Sequence, residues 1–75
     1  MRSVSNNSSR NTPKMITEAA LRLFTTKGYF STSIPNIVSE SGVSTGAIYH
    51  NFGDKESIAK ALFETLVTRM NEEFN

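Results

Sequence analysis

Residues 33 to 52 read Ser33-Ile-Pro-Asn-Ile-Val-Ser-Glu-Ser-Gly42-Val-Ser-Thr-Gly-Ala-Ile-Tyr-His-Asn-Phe52, and the punctuation of this stretch decides the fold. Ser33 reads as a helix cap, and Pro35 falls in the opening turn, where its missing N–H costs nothing. Ile37 and Val38 face inward, and Gly42 supplies the left-handed residue that ends the helix. Ser44 then caps a second short helix. That helix buries Ile48 and Phe52, four apart on one face, and turns Thr45, Gly46, Tyr49 and His50 elsewhere. Two helices this short do not stand alone, so one of them is presented to a partner. The pattern predicts a helix-turn-helix over 33–52, a motif whose second helix reads the major groove of DNA.

Upstream, Thr12-Pro13 is expected to open a helix, with a hydroxyl cap and proline at the first helical position. Ile16, Ala19, Ala20, Leu23 and Phe24 follow at helical spacing as one apolar stripe, and Gly28 ends it. The opposite face carries Lys14, Glu18, Arg22 and Thr25, with Glu18 and Arg22 as a favourable i,i+4 pair. Tyr29 and Phe30 continue past the glycine and read as core residues that fix the exit of the helix. Residues 1–11 are rich in serine and asparagine and bury too little to offset ordering, so a flexible amino-terminal tail is expected. Its sharper reading is an arm whose Arg2 and Arg10 reach phosphates or a minor groove.

Downstream, Gly53 breaks the chain, Asp54 caps a further helix and Glu56 complements its dipole. From Lys55 to Phe74 there is neither glycine nor proline, and twenty residues at 1.5 Å each make a rod about 30 Å long. Ile58, Ala59, Leu62, Phe63, Leu66, Val67, Met70 and Phe74 form a broad apolar band along it. Three short helices need about half of that rod, so Leu66, Val67, Met70 and Phe74 are left without a partner. No segment reads as a strand. The fold class is all-α: a homeodomain-like helix-turn-helix core of three helices, plus the start of a long linking helix at about 55–74.

Seventy-five residues allow one small domain, and the absence of cysteine removes disulfides and zinc-thiolate sites as staples. No apolar run approaches the roughly 20 residues that span a bilayer, and the amino terminus does not read as a signal peptide. A cytoplasmic protein with no membrane partner is expected. Net charge is only +1, but it is lopsided: residues 1–30 carry +4 and residues 31–75 carry −3. A polyanion-binding face therefore belongs near the amino-terminal half and the turn before residue 55.

A reading helix needs small or polar residues at its amino-terminal end, because the backbone must approach the groove before side chains reach base edges. Thr45, Gly46 and Ala47 meet that need, and because glycine costs a helix up to about 1 kcal/mol relative to alanine, Gly46 points to close approach to something, a phosphate or base edge first. Tyr49 is suited to the sugar-phosphate wall, with its hydroxyl donating to phosphate. His50, the only histidine, has no metal-ligating or nucleophilic company and reads as an exposed donor. Lys55 is placed as a point-charge phosphate contact, and Thr32 and Ser33 can offer hydroxyl and backbone N–H groups. Ser44 and Asn51, at the two ends of the reading helix, complete the candidate DNA-binding set. Paired catalytic residues, a nucleotide-cradling glycine loop and a metal cluster are all missing from the sequence, so no enzyme, cofactor or metal is expected.

Gly28-Tyr29-Phe30-Ser31-Thr32-Ser33, then Gly42-Val43-Ser44-Thr45-Gly46-Ala47-Ile48-Tyr49, then Phe52-Gly53-Asp54-Lys55, closely resemble the amino-terminal DNA-binding domain of the TetR/AcrR family of bacterial transcriptional regulators. The resemblance runs from about Thr12 to about Leu66. It implies a DNA-binding domain at 12–75 whose fourth helix leads into a carboxy-terminal effector and dimerisation domain that these residues lack. It also implies that Thr45, Gly46 and Ala47 lie near bases, with Tyr49, His50 and Lys55 on the backbone. The partners implied are a palindromic double-stranded operator, a second copy through the missing domain and, for the full-length protein only, a small-molecule effector; the regulator is expected to be a repressor. Val38 and Ser41 stand where the family usually has alanine, which bears on packing of the first short helix and not on DNA contact. The alternative is a helical protein-interaction module that uses the apolar band of residues 58–74.

Overall fold

Four helices, and no strand, make up residues 11–74, the part of the chain that the computed structural model describes, with side chains through residue 71. They are α1 (Thr12–Lys27), α2 (Ile34–Ser41), α3 (Thr45–Asn51) and α4 (Lys55–Phe74). Residues 1–10 of the expected tail, with Arg2 and Arg10, and the side chain of Phe74 lie outside the described residues, whereas Asn11, expected in that tail, belongs to the start of α1.

Each boundary has a local cause. Asn11 rather than Thr12 occupies the capping position of α1, and its carbonyl accepts from the Met15 N–H at 2.8 Å. Thr12 is already helical, so Pro13 still falls where no N–H is needed. Ser33 caps α2 within a reciprocal pair: its hydroxyl accepts from the Asn36 N–H at 3.2 Å, while the Asn36 amide oxygen accepts from the Ser33 N–H at 3.0 Å. Gly42 ends α2 at φ 77°, the left-handed region, and donates its N–H to the Val38 carbonyl at 2.9 Å. Ser41, one of the two departures from the family pattern, accepts the Val43 N–H at 3.0 Å and so ties down the turn between α2 and α3.

α1 is the hub, packing against α2, α3 and α4. Ile16, Ala19 and Ala20 of α1 meet Ile37 of α2, Val43 of the turn, Ile48 of α3 and Ile58 of α4 in one buried cluster. Each of the four isoleucines is fully buried, and burying such a side chain is worth about 1.5–3 kcal/mol. Leu23, Phe24, Val38 and Phe52 close the edges of the cluster. α4 shares in the core only near its start: Leu66, Val67 and Met70 are exposed, as the length of the rod foretells, and so is Phe63, which that expectation did not include.

Two expectations need correction. Arg22 does not pair with Glu18 along α1; its Nε donates to Glu40 Oε2 of α2 at 2.8 Å, a carboxylate that the packing of α2 on α1 brings within reach. Phe30 is not a core residue. The loop after Gly28 turns it outward, 94% exposed, while Tyr29 folds back against Phe24 with ring centroids 5.2 Å apart.

Asp54 caps α4 as expected, accepting the Ser57 N–H at 2.8 Å. That bond, with a second from the Ser57 hydroxyl, holds its carboxyl below the ordinary value of 3.8. A carboxyl lowered on folding stabilises the native state above its unfolded value and loses that contribution as pH falls through the lowered value. The cap should therefore hold fully down to about pH 4 and fade below it. Asp54→Asn should keep the cap and flatten this part of the acid limb, as read by thermal unfolding between neutral and acid pH.

Candidate nucleic-acid interface

α3 is seven residues long and is held by one fully buried side chain, Ile48, with Ala47 half-buried beside it. Everything else on the helix is turned out. Ser44, Thr45, Gly46, Tyr49, His50 and Asn51 are all exposed, with Tyr49 at 51%. The two ends are fixed by side chains: the Ser44 hydroxyl accepts the Ala47 N–H at 3.1 Å, and Asn51 Nδ2 donates to the Ala47 carbonyl at 2.8 Å. Asn51 thus spends one donor on its own helix and keeps its amide oxygen outward.

Gly46 is the most informative position. Its φ is not positive, and a Cβ built there meets nothing within 4 Å. Neither backbone conformation nor packing inside the molecule requires glycine at this position, in contrast to Gly28 and Gly42 with φ 91° and 77°.

Two of the candidate contacts stand differently from the expectation. Thr32 is buried to 2% exposure: its hydroxyl donates to the Gly28 carbonyl at 2.8 Å and its N–H to the Tyr29 carbonyl at 3.2 Å. It closes the α1–α2 loop and has no group to offer outward, because a loop this tight must satisfy its own buried carbonyls. Lys55 is not a free point charge. Its Nζ donates to the carbonyls of Tyr29 and Thr32 at 2.7 and 2.8 Å and sits 4.2 Å from the Tyr29 ring centroid. The ammonium is a clamp between the start of α4 and the loop before α2, with one of its three N–H donors uncommitted to that loop. Ser33, next to the clamp, remains exposed with its hydroxyl capping α2.

Asn36 is a residue that sequence reading left out. Its amide oxygen accepts both the Ser33 N–H and Lys27 Nζ, the latter at 3.2 Å, which draws a second cation to the amino-terminal end of α2. The signal was available, since a polar residue three positions after a serine cap is the spacing of a reciprocal capping pair. The electrostatics are equally one-sided. Between Ala19 and Gly53 the only carboxylate is Glu40, and Arg22 already neutralises it. The surface built from the α1–α2 loop, the turn and α3 therefore offers donors and cations with no unpaired acid.

A family model described as bacterial regulatory proteins, tetR family, matches residues 16–62, which holds every element of this surface up to the first turns of α4. Among curated relatives, the chain is similar to the HTH-type transcriptional regulator HbdR of Aromatoleum sp. (strain CIB), 46% identical over 61 residues, covering 72% of this chain and 25% of that protein. It is 39% identical over 62 residues to the HTH-type transcriptional repressor AcnR of Corynebacterium glutamicum, covering 83% of this chain and 33% of AcnR. It is 36% identical over 63 residues to the HTH-type transcriptional regulator AcrR of Shigella flexneri, covering 84% and 29%. The chain thus spans a quarter to a third of the length of these relatives. No solved structure gives a significant match. A helix-turn-helix of the expected geometry and a family match over more than half of the chain lead to one conclusion: the chain belongs to the tetR family of bacterial regulatory proteins.

Proposed function

We propose that the chain is the DNA-reading domain of a bacterial transcriptional repressor, with α3 lying in the major groove of double-stranded DNA. The observation that carries the reading is Gly46: an exposed glycine in the first turn of α3 that the fold itself does not need. Close approach of the helix backbone to a groove gives it a reason. In this reading Thr45, Gly46 and Ala47 lie near bases, Ser44, Tyr49, His50 and Asn51 border the sugar-phosphate walls, and Ser33 meets the backbone at the start of α2. Lys55 contributes its remaining donor and its charge. The similarity to AcnR, a transcriptional repressor by name, supports the same reading. In a longer protein the exposed apolar residues of α4 would be covered by a carboxy-terminal domain that dimerises on a palindromic operator and binds a small effector. A non-enzymatic role in the bacterial cytoplasm accompanies it.

Titration of the chain with a duplex selected from a random-sequence pool tests the reading. With about three to five phosphates neutralised, log K should fall against log salt with a slope of about −2.7 to −4.5. A flat response overturns the reading. If instead the apolar face of α4 is the chain's own binding surface, Tyr49→Ala leaves binding intact and truncation after Lys60 abolishes it.

A further inference from the structure

Phe30 is a large apolar side chain held in the open by a loop that is otherwise tightly braced. The Gly28 N–H donates to the Phe24 carbonyl at 3.1 Å, Thr32 closes back on Gly28 and Tyr29, and Lys55 grips the carbonyls on both sides of Phe30, those of Tyr29 and Thr32. The ring meets Tyr29 edge-on, with centroids 5.2 Å apart, and lies 6.0 Å from Lys55 Nζ, yet it is 94% exposed. Its exposure is thus a fixed presentation, and it adds nothing to the core.

The geometry points to Phe30 as a DNA contact outside the helix-turn-helix, packing on the deoxyribose face of the backbone that flanks the groove occupied by α3. The inference rests on the DNA-binding reading above. In a docked helix-turn-helix the first helix crosses the sugar-phosphate backbone while the second enters the groove. The loop that carries Phe30 runs directly into the amino-terminal end of that first helix, α2, and Lys55 ties the same loop to the chain four residues beyond α3. The surroundings select the partner. Lys27, Ser31, Ser33 and Lys55 lie within or beside the loop. Between Ala19 and Gly53 the one carboxylate, Glu40, is paired with Arg22, and of the two acids that flank Lys55, Asp54 is engaged as the cap of α4 and Glu56 lies in its first turn. An apolar ring set among cations and hydroxyls matches a backbone that alternates apolar sugars with phosphates.

The test is an NMR titration of the isotopically labelled chain with a mixed-sequence DNA duplex of about 20 base pairs, since sugar and phosphate contacts do not depend on sequence. The Phe30 ring signals should shift along with the Tyr49 amide. Phe30→Ala should weaken binding by about threefold to tenfold. The salt slope should stay unchanged, because the ring neutralises no phosphate. If the parent binds and Tyr49→Ala weakens it, but the Phe30 ring does not shift and Phe30→Ala binds as the parent does, the inference falls while the DNA reading stands. If the parent does not bind the duplex at low salt, both fall. If Phe30→Ala leaves DNA binding unchanged but removes self-association in sedimentation, the ring belongs to a protein contact and the inference is overturned. Should Phe30→Ala fail to fold, the ring signals of the unmodified chain decide.

Discussion

Gly46→Leu is expected to leave the domain at least as stable as the parent and to weaken duplex binding by about tenfold to hundredfold, the loss of one or two good base-edge contacts. The two halves of this result have separate causes. Within the molecule a side chain at position 46 meets open space, and the backbone there is in the ordinary region that any residue adopts. Leucine has nearly the helix propensity of alanine, so the substitution gains up to about 1 kcal/mol for α3. On the DNA side, with α3 in the major groove as proposed, the added carbons would stand between the first turn of α3 and the groove floor and hold Thr45 and Ala47 away from base edges. Thermal unfolding followed by circular dichroism reads the first half, and a duplex titration at fixed salt reads the second. Parental affinity in the leucine variant would leave the glycine without a part in docking. A large loss of stability would show that the fold requires it after all.

The elements were legible because their ends are written in residues with local effects. Ser33, Gly42, Ser44 and Asp54 set caps and stops through bonds that span at most four positions, Pro35 fits the first turn where no N–H is needed, and the structure starts α2, α3 and α4 and ends α2 where those residues foretell. The core was legible for a related reason: helical spacing brings Ile16, Ala19 and Ala20 to one face, and Ile37, Ile48 and Ile58 had no other place to go. What stayed hidden depends on contacts across long sequence separation. Lys55 meets carbonyls 23 and 26 residues earlier, and Arg22 finds Glu40 eighteen positions on. No periodicity carries such information. Phe30 shows the limit from the other side, since an aromatic residue beside a helix end reads as core until the loop's direction is known. The exposed face of α3 was legible by subtraction: once Ile48 and Phe52 face inward, Thr45, Gly46, Tyr49 and His50 must point away.

Ile48→Ala is expected to cost about 2–5 kcal/mol, the range for truncating a buried isoleucine. A domain of this size is stable by only about 4–11 kcal/mol, so the substitution removes a large share of the total and lowers the melting temperature by more than about 10 °C. Ile58→Ala deletes an equally buried side chain of the same cluster, from α4, and should destabilise to a similar extent. The two variants differ in what they release. α3 has seven residues, too few to persist as a helix without its packed face, and Ile48 is its one fully buried anchor. At a low temperature where both variants remain folded by circular dichroism, Ile48→Ala should therefore lose duplex affinity while Ile58→Ala keeps most of it. Equal losses would mean that affinity follows global stability alone. Unequal losses in the stated order would tie it to the docking of α3, whose one fully buried side chain is Ile48, with Ala47 and Phe52 only partly buried against the core.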